Sequence, residues 1–190
     1  RRWITLSVLF GAALVNTLLA PAILCVLLLI DALRNRRLPL SRAYLLFSFY
    51  LLWEVFGVAG AALLWGWMGW RPKQAARFLD WNYALQRLWT AGFAKVGIAL
   101  FSLQRDIEGT YRFGERPFVL LARHTSLADT ILVSWFVLVQ HRLRMRYVMK
   151  RELLWDPCLD IVGNRLPNCF VDRRAGSTRG ETKRIAALAV

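Results

Sequence analysis

The sequence predicts an α/β domain carried behind an N-terminal transmembrane helical hairpin, and three observations predict it. Residues 3–30 are free of charge, and residues 43–70 are broken only by Glu54. After Trp70 the composition changes, and ten of the fourteen net positive charges lie beyond it. From residue 106 onward, short strand patterns alternate with helical ones, as in a layered α/β sheet. The 190 residues are 57% hydrophobic, with nine Trp, which argues against a purely soluble domain and against a disordered or linker-like chain. These shifts divide the chain into a hairpin over 1–70, an interfacial amphipathic helix region over 71–105 and the α/β part over 106–190.

Each apolar run is long enough, at helical rise, to cross a bilayer core with some tilt. Between them, residues 31–42 hold four arginines together with Asn35 and Pro39, which suit a turn. A hairpin returns both ends to one interface, where Trp3 would join Trp65, Trp67 and Trp70 in an aromatic belt. Ala20-Pro21-Ala22 offers a signal-peptide cleavage site, but the apolar stretch continues eight residues past it and favours an uncleaved anchor. Four loop cations face five around the other end (Arg1, Arg2, Arg71, Lys73 and Arg77), so orientation is left to function. Glu54 reads as a carboxylate near the headgroup boundary that snorkels outward, with a functional intramembrane carboxylate as the alternative. Gly57 and Ala61, four residues apart, read as close packing within the hairpin.

Residues 71–101 read as a helix, with Trp81, Leu85, Leu88, Trp89, Phe93 and Val96 at near-helical spacing. That stripe faces either a core or the headgroup layer. The apolar run at 117–123 reads as a strand buried in a sheet, and 127–140 as a helix. Residues 144–149 alternate cation and apolar side chain at strand period, 168–172 form a further strand, and the chain turns helical again from 178. Cys25, Cys158 and Cys169 form neither a paired framework nor a CxxC motif, which suits a reduced compartment with Cys158 and Cys169 as apolar fillers. Two histidines without a second ligand cluster give no metal pattern. The net charge of +14 suits anionic lipid, with Arg142, Arg144 and Arg146 on a solvated strand face. Charge alone would also allow nucleic acid, but no binding motif accompanies it.

The stretch that carries chemistry is Arg123-His124-Thr125-Ser126-Leu127-Ala128-Asp129-Thr130. His124 follows the apolar run, where α/β sheets present their working residues, and Asp129 falls in the first turn of the next helix. A histidine in the turn before a helix can meet an aspartate that reaches back. The carboxylate then fixes the imidazole tautomer and supports its positive charge, as a general base requires. The competing reading is structural. Ser126-x-x-Asp129 is also a capping-box pattern, and His124 could be a polar turn residue. No G-x-S-x-G elbow offers a covalent serine route.

His-x-x-x-x-Asp with Ser126 two residues past the histidine resembles the first signature of the glycerolipid acyltransferases, the 1-acylglycerol-3-phosphate acyltransferase family. Phe170-Val171-Asp172-Arg173 resembles the second, whose arginine binds the acceptor phosphate, and residues 146–154 resemble the strand and lysine between the two. Arg123 stands where the family usually has Asn, and Pro167 where it usually has Gly. The third signature, Glu-Gly-Thr-Arg, is expected beyond Val190, so the chain is expected to be C-terminally truncated. The resemblance implies a mixed sheet with flanking helices and direct acyl transfer to the sn-2 hydroxyl of lysophosphatidate. His124 and Asp129 would be catalytic, and Arg173, Lys150 and Ser126 would bind substrate. Acyl-CoA or acyl carrier protein would be the co-substrate, with no cofactor and no metal. The partners implied are a lysophospholipid, an acyl thioester and membrane lipid, with the catalytic domain on the cytoplasmic face of an inner membrane. The alternatives are another lysophospholipid acceptor, or a non-catalytic basic module that holds anionic lipid.

Overall fold

The computed structural model describes residues 1–34, 37–69, 71, 75–109, 118–122, 126–172 and 179–189. Helix α1 spans Arg2–Leu33 and helix α2 spans Pro39–Leu64, extended by a π turn over Trp65–Gly69. Both helices are long and apolar enough to cross a membrane. Pro21 lies inside α1 without ending it. At the hairpin tip, Leu38 takes a left-handed conformation and Pro39 opens α2, where its missing N–H costs nothing. Asp31, at the end of α1, closes the turn: its carboxylate accepts from Ser41 N at 2.9 Å, Ser41 Oγ at 2.8 Å and Leu40 N at 3.4 Å. The end of one helix thereby caps the start of the next.

Helix α3, Ala75–Phe101, packs lengthwise against α2. The Trp53 indole donates to Trp89 O at 2.9 Å, Phe49 and Tyr50 meet the ring of Phe93, and Phe101 lines a cleft with Arg37, Pro39 and Arg42 at the hairpin tip. The stripe expected on α3 therefore divides. Leu85, Trp89 and Phe93 turn into the protein, while Trp81 and Leu88 stay exposed.

Helix α4, Leu127–Trp135, continues through a π turn over Phe136–Gln140 and packs on α3. Strand β1, Val148–Lys150, is joined to β2, Cys169–Val171, through a 3₁₀ turn over Arg151–Trp155 and the short helix α5, Pro157–Ile161. The strands pair in parallel, Val148 with Cys169 and Lys150 with Val171, as a β-α-β crossover requires. The Asn168 side chain straps the unit, accepting from Tyr147 N at 2.9 Å and donating to Gly163 O at 3.0 Å. Helix α6, Arg179–Ala186, follows.

The expected mixed sheet is thus a two-stranded parallel sheet among the described residues, within a mostly helical protein. One expected strand is corrected. Residues 118–122 join no ladder, and Val119 and Leu121 are 83% and 90% exposed. An apolar run becomes a buried strand only where a neighbour accepts its backbone bonds, and no described strand lies beside this one.

Candidate active site

Ser126 and Asp129 build the N-terminus of α4. Ser126 is extended, its Oγ accepts from Asp129 N at 3.4 Å, and its N–H donates to Asp129 Oδ2 at 2.7 Å. The capping box read from the sequence is made. It does not compete with a histidine partner, because a carboxylate has two oxygens and several acceptor positions. His124 lies outside the described residues, as does Arg173.

The far half of α4 is fixed by the residue before β1: the Tyr147 hydroxyl donates to Ser134 Oγ at 3.1 Å, and burial raises its pKa. Arg105 adds a cation over the Trp135 ring, 4.8 Å from its centroid. Lys150 ends β1. That is the carboxyl edge of both parallel strands, where open α/β sheets bind ligands. Lys150 is exposed there, in register with Val171, and Arg173 follows β2 by two residues in sequence. Beside Lys150, Arg151 reaches Asp172 at 3.9 Å. Arg142, Arg144 and Arg146 are exposed, as expected of a solvated face. Two of them also make bonds, Arg144 to Asp80 at 2.6 Å and Arg146 to Leu188 O at 2.7 Å.

Glu54 overturns the snorkelling reading. It is fully buried, and it accepts from Trp89 Nε1 at 3.1 Å and Cys158 N at 3.3 Å. Hydropathy places Glu54 near the end of an apolar run. Its donors stand 35 and 104 residues away in sequence, so no local pattern announces them. Gly57 likewise packs against α3 and α5 rather than α1, because an added Cβ would meet Cys158 Sγ and Trp89 Cδ1. Cys158 and Cys169 are buried free thiols, as expected, and burial beside Glu54 pushes the Cys158 thiol up. Among the described residues, no group of three or more His, Cys, Asp or Glu side chains could hold a metal ion.

The described residues thus join a helical hairpin to a parallel β-α-β unit, with Lys150 at the carboxyl edge of its strands. Residues 104–189 match the family model described as Acyltransferase. That match covers a little under half of the chain and supports acyl transfer as the general chemistry of this segment. No curated protein and no solved structure matches the chain.

Proposed function

We propose that the protein transfers a fatty acyl group from a thioester donor to the sn-2 hydroxyl of lysophosphatidate, giving phosphatidate, at a membrane in which its hairpin is anchored. The observation that carries this reading is the match of residues 104–189 to the Acyltransferase family model, within which Asp129 lies in the capped first turn of α4 and follows His124 by five residues in sequence. In this reading His124 takes the proton from the acceptor hydroxyl, and Asp129 holds the imidazole with the carboxylate capacity left over from the cap. The alkoxide attacks the thioester carbonyl, the C–S bond breaks, and the departing thiolate takes the proton back from His124. Arg173, two residues past β2 in sequence, and Lys150, at the carboxyl edge, neutralise the acceptor phosphate, for which a guanidinium fork is suited. Ser126 keeps a hydroxyl proton to donate to substrate after its oxygen has accepted the cap bond. The thioester is a co-substrate, and the step invokes no cofactor.

The membrane part of the proposal rests on α1. Leu14, Val15, Leu18, Leu19, Val26 and Leu29 are each at least half exposed, an apolar surface that water does not tolerate and lipid does. A domain that uses cytosolic thioesters then faces the cytoplasm.

The test is acyl transfer by the protein in vesicles, across a panel of lysophospholipids. Lysophosphatidate is expected to be the preferred acceptor. Arg173→Ala should raise its KM by about one to two decades, the scale of one charge-assisted contact, while the donor KM stays put. A donor-side defect would contradict the assignment of Arg173. Transfer to no lysophospholipid, with anionic-lipid binding intact, would favour the non-catalytic module.

A further inference from the structure

An apolar helix seldom buries a carboxylate without a use for it, and Glu54 is enclosed by two other elements at once. From α3, the Trp89 indole N–H reaches Oε1 at 3.1 Å. From α5, the Cys158 N–H reaches Oε2 at 3.3 Å, and the Cys158 thiol reaches the Glu54 backbone carbonyl at 3.4 Å. One turn along α2, the missing side chain of Gly57 lets Cys158 and Trp89 close onto the helix. One turn the other way, the Tyr50 hydroxyl donates to Asp156 Oδ2 at 3.0 Å, and Asp156 is the N-cap of α5. Farther out, Asp160 of α5 pairs with Arg1 and Arg2, each at 2.6 Å, and Arg165 donates to Ala61 O at 2.7 Å. Helix α5 is the crossover between β1 and β2. Whatever fixes α5 to the hairpin therefore fixes the edge that carries Lys150, and the strand that leads to Arg173.

We propose that Glu54 is a positioning residue, a buried clamp that holds the α5 crossover against α2 and α3 and so sets where the acceptor-binding edge stands relative to the membrane hairpin. Loss of the clamp frees the edge without touching the reacting atoms. A bilayer-borne acceptor, which must be met at a fixed depth, then suffers. A short-chain, water-soluble lysophosphatidate, which diffuses to the site, does not. The proposal rests on the acyl-transfer reading for this kinetic half only.

The experiment uses the protein in vesicles with Cys25→Ser, which leaves two buried thiols for maleimide to report. Cys158 reads the clamp and Cys169, in β2, reads the fold of the sheet. Glu54→Ala is expected to speed alkylation of Cys158 about tenfold while Cys169 stays protected, since one lost hydrogen bond is worth up to about a decade. It should also raise KM for bilayer-borne lysophosphatidate by about a decade, with kcat and the soluble acceptor's KM unchanged. Glu54→Gln, which keeps an acceptor in place, should restore both. Continued protection of Cys158 in Glu54→Ala overturns the clamp. Joint opening of Cys158 and Cys169 overturns it too, because the residue would then serve the fold at large, and so does opening of Cys158 with no change in KM. If the unsubstituted protein transfers no acyl group, the acyl-transfer reading fails, and the thiol pattern alone decides the clamp.

Discussion

Helices α1 and α2 are alike in length and apolar character, yet they meet different surroundings. Helix α1 buries a narrow stripe of Thr5, Leu9, Ala13 and Asn16 against its partner and leaves most of its remaining surface apolar and open. Helix α2 is enclosed on several sides. Its buried positions, Ser41, Leu51, Glu54, Gly57, Val58 and Ala61, meet α1, α3 and α5 in turn. Apolar composition qualifies both helices for a membrane. The small and polar residues separate the helix presented to lipid from the helix packed by protein. Glycine, alanine and one glutamate are what α2 has where its neighbours must come close.

That contrast is open to three perturbations. The largest effect is expected from Leu18→Lys on the exposed face of α1, where 71% of the side chain is accessible. A lysine near the middle of a lipid-facing helix costs about 2.5–3.5 kcal/mol, so the membrane-bound fraction after carbonate extraction should fall markedly. Unchanged membrane retention would remove α1 from the lipid. Next, a pair of alanine substitutions sets the helices side by side. Gly57→Ala drives a methyl into Cys158 and Trp89 and should destabilise by about 1–3 kcal/mol. Gly11→Ala in α1 meets nothing within 4 Å and should be neutral, or stabilising by up to about 1 kcal/mol through helix propensity. Equal thermal shifts for the two would erase the distinction between the helices. The smallest effect is expected at the tip, where Asp31→Ala removes the cap of α2. A loss of about 0.5–2 kcal/mol is expected, read as faster amide exchange at residues 40 and 41.

How far the molecule was legible in its sequence follows from how local each feature is. The apolar runs marked both hairpin helices, because a run of side chains needs no knowledge of its neighbours. Strand β2 was found from a short apolar run and the Ser126–Asp129 cap from spacing alone, whereas the alternation at 144–149 reaches only the first two residues of β1 and residues 144–147 form no strand. Residues 118–122 were misread because a strand is defined by a partner, and apolar character cannot supply one. Glu54 was misread for a related reason: hydropathy fixes its place along the helix, whereas its environment comes from Trp89 and Cys158 in elements distant in sequence. Of the expected site, Ser126, Asp129 and Lys150 are placed at the capped turn and the carboxyl edge, while His124 and Arg173 lie outside the described residues.

The acyl-transfer account stands most directly on Asp129, which both caps α4 and is assigned to orient His124. Asparagine at 129 can still accept the Ser126 N–H, so it preserves the cap while removing the charge that supports an imidazolium. The decisive measurement is the rate of phosphatidate formation from lysophosphatidate and acyl thioester by Asp129→Asn protein in vesicles, with Cys169 protection reporting an intact fold. The account predicts a fall of about a hundredfold or more in kcat. A near-normal rate in well-folded Asp129→Asn protein would contradict it and return Asp129 to the helix cap alone.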